Sequence, residues 1–127
     1  MKRFFALMLS ALLLGGCGAG SSEPGYEQIS QTEALEIMNT QENYIILDVR
    51  TPGEFAEGHI KGAVNLPNED ISSKNLDLLP EKDQLILVYC RSGNRSKQAS
   101  QKLAQLGYTQ IKEFGGIRSW PGEIVKD

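Results

Sequence analysis

Two short, nearly continuous apolar runs stand out along the chain: YIILDV at residues 44–49 and LILVYC at 85–90. Runs of this length without alternation suit strands buried on both faces. SKQASQKLAQLG at 96–107 is amphipathic instead, with Ala99, Leu103 and Leu106 spaced i, i+4, i+7 and Gly107 placed for a C-terminal cap. Ser30-Gln31-Thr32-Glu33 has the form of a capping box, and Ala34, Leu35, Ile37 and Met38 lie on the helix it opens. AVNL at 63–66 reads as a short strand, 68–79 as helical, and QIKEF at 110–114 as a last strand closed by Gly115-Gly116. Strands alternating with helices predict an α/β domain with a mainly parallel sheet.

The first residues have a different pattern. Lys2 and Arg3 precede an eleven-residue apolar run, FFALMLSALLL. A helix needs about 20 such residues to span a bilayer, so the run suits a signal-peptide core instead. It ends in Leu14-Gly15-Gly16-Cys17, which resembles the lipobox of bacterial lipoproteins. That resemblance implies a leader over residues 1–16 and a lipidated Cys17 carrying acyl chains such as palmitate. A flexible tether over 17–25 and a domain over 26–127 would come next. The protein would then be exported and held at the cell membrane or outer membrane, on the periplasmic or extracellular face. Gly18 in place of an aspartate hints at outer-membrane sorting. An ordinary signal peptide cut near Ala19 is the alternative.

Composition narrows the remainder. A chain of 127 residues suits one globular domain. Without residues 1–16 it keeps 11 basic and 16 acidic side chains, a net charge of −5. Nucleic acid is therefore not an expected partner, because neutralising phosphates needs a basic face. The absence of heptads makes a monomer the expectation.

If Cys17 is lipidated, Cys90 is the only thiol left. An unpaired cysteine in an exported protein signals a reactive thiol or an intermolecular bond. The plain alternative is a small core residue, since free cysteine is among the most buried residue types. The residues just after Cys90 favour reactivity. The loop Arg91-Ser92-Gly93-Asn94-Arg95 leads directly into the helix beginning near Ser96, and functional residues of open parallel sheets collect at such junctions. Gly93 and Asn94 both tolerate left-handed angles, so the loop can curl its N–H groups inward towards an anion. Arg91, Arg95 and Lys97 add positive charge, and both effects favour a thiolate. Cys90 reads as a nucleophile facing an anionic substrate. His59, the only histidine, lies between Gly58 and Ile60 and reads as structural. One histidine and one remaining cysteine do not make a usual metal ligand set, and no cofactor is expected.

Three segments together carry a family resemblance. DVRTPGEFAEGHIKGAVNLP (48–67), YCRSGNRSKQASQKLAQLGY (89–108) and FGGIRSW (114–120) resemble, in order, the signatures of rhodanese-like domains. The resemblance implies a five-stranded, mainly parallel sheet flanked by helices. It also implies sulfur transfer from a small anionic donor such as thiosulfate, through a Cys90 persulfide, to a thiol or cyanide acceptor. The loop from Arg91 to Ser96 (with Ser92, Gly93, Asn94 and Arg95) would bind donor and persulfide. Asp48 and Arg50 would brace the site, Glu54 and His59 would be structural, and Trp120 would pack beside it. The loop is Cys-x4-Arg, one residue shorter than in phosphatases of the same fold, which disfavours phosphoryl transfer. A persulfide carrier or a sulfide- or redox-sensing module without turnover remains the alternative.

Overall fold

The computed structural model describes residues 25–126. The leader, Cys17 and the tether as far as residue 24 lie outside the described residues. Strand β1 (Glu27–Gln28) precedes helix α1 (Gln31–Thr40), β2 (Tyr44–Asp48), the short helix α2 (Pro52–Glu57), β3 (His59–Ile60) and β4 (Val64–Asn65). After a long loop come β5 (Leu85–Cys90), α3 (Asn94–Gln105), β6 (Gln110–Gly116) and β7 (Ile124–Val125). Five strands form a parallel sheet in the order β1-β6-β5-β2-β4, while β3 and β7 make a separate antiparallel pair.

The apolar runs become the central strands because both faces of the sheet are covered. On β5, Ile86, Val88 and Cys90 join Leu47, Val49, Ala99 and Leu103 in one core beneath α3. Leu87 and Tyr89 turn the other way and pack with Ala34, Ile46, Phe114 and Trp120 in a second core beneath α1. Strand periodicity therefore survives inside a continuous hydrophobic run: the odd and even residues feed different cores. Truncating a side chain as enclosed as Leu103 (0% exposed) to alanine falls in the range of roughly 2–5 kcal/mol.

Both helix-end expectations hold, with shifted bounds. Ser30 caps α1 reciprocally with Glu33. Helix α3 begins two residues earlier than expected, at Asn94. It closes in a Schellman motif: Gly107 at φ +101° donates to the Ala104 carbonyl and Tyr108 to that of Leu103. Of the loop residues, Gly93 alone takes the left-handed conformation; Asn94 is already helical.

The segment 68–79 is not the expected helix. Only Asn68–Asp70 makes a 3-10 turn, and the rest is turns and loop. Its buried anchors, Ile71 and Leu79, have no buried residue between them, so no continuous helical stripe forms. Local side-chain bonds take up its backbone instead. Ser72 Oγ accepts the Lys74 N–H, and Asn75 Nδ2 donates to the Asp70 carbonyl.

The seam between β5 and β6 sets the geometry of the cysteine end. Val88 pairs with Glu113 but Cys90 with Gly116, so β6 carries one extra residue at a bulge, with Gly115 at φ +92°. The bulge brings Gly116 against the Arg91 peptide. A Cβ there would stand 1.9 Å from the Arg91 carbonyl oxygen and 2.6 Å from the Ser92 Cα. Gly116→Ala should therefore displace the loop and cost about 2–3 kcal/mol, measured by urea unfolding. An unchanged midpoint would show that the seam is slack.

Candidate active site

Cys90 is the last residue of β5, 1% exposed, at the entrance to α3. Its Sγ accepts the Gly93 N–H at 3.0 Å, a contact made possible by the left-handed turn at Gly93. No side chain caps α3, so the first-turn N–H groups have no side-chain acceptor. The positive end of the helix is thus directed at the loop that holds the sulfur.

A second group meets the sulfur from the α3 side. Cys90 Sγ lies 3.4 Å from Ser96 Oγ, and Ser96 Oγ lies 2.5 Å from Glu113 Oε2. The same carboxylate oxygen accepts the Gly115 N–H at 2.9 Å. Glu113 is 3% exposed, and no cation pairs with it among the described residues.

Arg95 is engaged in a scaffold contact. Its guanidinium grips Glu54 with two bonds, Nη1 to Oε1 at 2.8 Å and Nη2 to Oε2 at 3.1 Å. Glu54 in turn accepts the Thr51 N–H and hydroxyl in the capping box that opens α2. The Arg95 bonds, against partial burial and with help from Thr51, hold the Glu54 carboxyl at about 2, below its ordinary 4.5. Arg95 is raised, first by its bonds to Glu54. Arg91 is exposed, and its side chain makes no hydrogen bond among the described residues. Its carbonyl accepts the Arg118 N–H at 3.3 Å. Ser92 and Asn94 are exposed along the same loop.

Asp48 and Arg50 brace the opposite face of the strand ends. Asp48, fully buried, accepts from Arg50 N, Nε and Nη2 and from the Tyr89 hydroxyl at 2.6 Å. Arg50 Nη2 also donates to the Gly58 carbonyl, and Tyr89 Oη accepts the Ile60 N–H. Burial opposes the Arg50 charge, but the bonds and charge of Asp48 outweigh it and raise Arg50 above its ordinary value. Burial, then Asp48, pushes Tyr89 well up, so its proton stays on the phenol.

Of the loop residues expected from the sequence, Gly93 and Ser96 meet the Cys90 sulfur, Arg91, Ser92 and Asn94 are exposed, and Arg95 is turned to Glu54. His59, paired with Val125 in the β3–β7 ladder, stacks on Phe55 of α2 with ring centroids 3.7 Å apart. Trp120 packs on Phe114 in the α1-side core together with Tyr89, in the layer opposite the one that holds Cys90. The continuous chain path from Gly116 explains this: the strand ends at the loop, and the next turn carries the indole across to the other layer. No group of three His, Cys, Asp or Glu side chains is placed to hold a metal among the described residues. Sequence reasoning missed Glu113 and Tyr89. The alternation of Ile111 (inward), Lys112 and Glu113 already placed a carboxylate on the buried face of the last strand.

A family model described as Rhodanese-like domain matches residues 30–123. The chain is 33% identical over 72 residues to the thiosulfate sulfurtransferase PspE of Escherichia coli, covering 57% of this chain and 69% of that protein. It is 39% identical over 103 residues to the chloroplastic thiosulfate sulfurtransferase 16 of Arabidopsis thaliana, covering 72% and 84%. Among solved structures it resembles a rhodanese with anions from E. coli, with a TM-score of 0.61 and 31% identity over 66% of this chain and 99% of that one. It also resembles a rhodanese-like domain from Anabaena, with a TM-score of 0.72 and 27% identity over 83% and 80%.

The Glu54–Arg95 pair has a defined pH signature. Because the folded carboxyl titrates near 2 and the unfolded one near 4.5, its stabilisation is complete above about pH 4.5 and lost as pH falls through about 2. The two side chains are 27% and 31% exposed, so solvent screening limits the pair to about 1 kcal/mol. Glu54→Gln should destabilise by that amount at pH 7, and the gap from the parent should close progressively between pH 4.5 and 2. Unfolding midpoints across that range measure it.

Proposed function

The chain belongs to the rhodanese-like domain family, and from that membership we propose that it is a sulfurtransferase whose Cys90 carries the transferred sulfur. The observation that supports this most directly is the Gly93 N–H on Cys90 Sγ, at the uncapped start of α3. That environment stabilises negative charge on a sulfur, first as thiolate and then as persulfide.

In the proposed cycle the Cys90 thiolate attacks the outer sulfur of an anionic donor such as thiosulfate. A new S–S bond forms to Cys90, the donor's own S–S bond breaks, and sulfite leaves with the bonding electron pair. An acceptor thiolate or cyanide then attacks the terminal sulfur of the persulfide. Its bond to Cys90 breaks, and the cysteine thiolate is restored with no net redox change. Arg91 supplies charge for the donor, and Arg95, tied to Glu54, holds the loop's shape.

Brief exposure to thiosulfate should add one sulfur atom to the Cys90 peptide, read by mass, and cyanide should remove it. Cys90→Ser should abolish both steps and turnover; normal turnover in that variant would sink the proposal. An adduct that cyanide fails to discharge would favour a persulfide carrier without turnover.

We further propose that residues 1–16 are a lipoprotein leader and that Cys17 anchors the domain outside the membrane, by the Leu14-Gly15-Gly16-Cys17 pattern. Two or three acyl chains make such an anchor stable, where one is marginal. Labelled palmitate should enter the parent protein and not Cys17→Ser, and the variant should leave the membrane fraction. Equal labelling of both would remove the anchor.

A further inference from the structure

Glu113 is a buried carboxylate that the sulfur-transfer cycle leaves unused. Its partners are the Ser96 hydroxyl and the Gly115 N–H, both on Oε2, and no guanidinium or ammonium offsets its charge among the described residues. Burying a charge on two neutral donors is costly, so its placement needs a reason. The reason lies in Ser96, which is 0% exposed and has a single hydrogen to give. The Gly93 carbonyl stands at 3.0 Å and Glu113 Oε2 at 2.5 Å, a length typical of a bond from a hydroxyl to an ionised carboxylate. With that hydrogen directed to Glu113, Ser96 Oγ presents a lone pair to Cys90 Sγ at 3.4 Å. Sulfur, hydroxyl and carboxylate form an unbroken hydrogen-bonded line.

We propose that Cys90 and Glu113 share one proton through the Ser96 hydroxyl, so that the Glu113 carboxylate holds the resting Cys90 as a thiol. The inference rests on Cys90 being the reactive sulfur. In the transfer, the Cys90 S–H bond breaks and its proton goes to Ser96 Oγ, while the Ser96 proton goes to Glu113 Oε2. One negative charge moves from carboxylate to sulfur, the proton count is unchanged, and no oxidant is needed. The neutral acid then donates to Ser96, and Ser96 donates to the thiolate. Two negative charges cannot form cheaply on atoms no more than about 6 Å apart in a buried site. The other charges on elements packed against β6 have their own places: Arg95 on Glu54, Lys102 on the Asn68 carbonyl, Glu27 on Lys112 and Glu33 on Ser30. Glu36 is exposed on α1, and Lys97 reaches over Gly93. A thiol kept protonated at rest is less open to oxidation than a standing thiolate.

The test is the pH dependence of iodoacetamide alkylation of Cys90 in the full chain, read by peptide mass so that Cys17 does not contribute. Glu113→Gln removes the competing charge and keeps the shape. The midpoint for Cys90 alkylation should fall by roughly one pH unit or more, giving about tenfold faster alkylation on the acid side. An unmoved midpoint would make Glu113 a structural acceptor only, and a raised midpoint would reverse its sign; either overturns the proposal. Infrared spectra of the parent chain give a second readout that needs no Glu113 variant. The Glu113 carboxylate band of the resting chain should shift as Cys90 ionises and lose that dependence in Cys90→Ser; an identical band in both overturns it too. Sulfur transfer to cyanide, assayed alongside, separates the two readings: loss of turnover chemistry would leave the alkylation shift intact.

Discussion

The fully buried carboxylate of Asp48 fixes the arrangement of everything around the cysteine. A charge in that position is tolerated only with complete compensation, and removing one partner of such a buried pair costs about 3–5 kcal/mol. Here the compensation comes from three nitrogens of Arg50 and the hydroxyl of Tyr89. Each of those donors also holds another segment. Arg50 reaches the Gly58 carbonyl at the end of α2, and the Tyr89 oxygen takes the Ile60 N–H in β3. Asn65 in β4 bridges the Asp48 and Arg50 carbonyls. The donors of a single anion thus tie the end of α2, β3 and β5 to β2, the main-chain carbonyls beside it hold β4, and Cys90 is the neighbour of Tyr89.

That adjacency divides the site by layer. Consecutive residues of a strand face opposite sides, so Tyr89 commits the α1 side to the Asp48 network and Cys90 is delivered to the α3 side. Each side has one buried carboxylate, and they differ in what neutralises them. Asp48 has a guanidinium at 2.6 Å; Glu113 has only a hydroxyl and an amide. The first is a fixed charge serving as a fastener. The second has a hydrogen bond that can reverse direction, because a hydroxyl is both donor and acceptor. The bulge at Gly115 makes this possible, since it turns an N–H back onto Glu113 and brings Gly116 under the Arg91 peptide.

Much of this was legible in the residues, for reasons that differ by element. LILVYC matched β5 residue for residue because a fully enclosed strand needs nothing but apolar side chains. The end of α3 was legible because Gly107 and the apolar stripe point to the same boundary, whereas its start was not: Gly93 caps it through backbone conformation alone, without a capping side chain to see. The segment 68–79 misled because polar residues with scattered leucines fit a helix as well as a loop, and only the Ser72 and Asn75 side-chain bonds decide between them. Helix α2 went unread although Thr51-Pro52-Gly53-Glu54 is a capping box with proline at its first helical position, because six residues are too few to show a period. The role of Arg95 could not be read either. Its partner Glu54 lies 41 residues away, and composition alone treats every arginine in an anion-binding loop as free.

The position of Arg95 changes how an anionic donor would be recognised. A guanidinium bound bidentately to a carboxylate is largely offset by it, so Arg95 shares the attraction near Cys90 with Arg91, Lys97 and the N–H groups of the loop and α3. The chain as a whole is acidic, and at physiological salt charge effects decay over about 8 Å. A small anion would therefore feel attraction chiefly close to the loop itself. Recognition would then depend on fit to the short loop turned at Gly93, whose N–H meets Cys90 Sγ. That loop has the Gly116 contact beneath it and the Glu54–Arg95 clamp beside it. In such a site the cations shape the pocket as much as they charge it, and Glu54 and Gly116 bear on the loop that holds the sulfur without touching the sulfur itself.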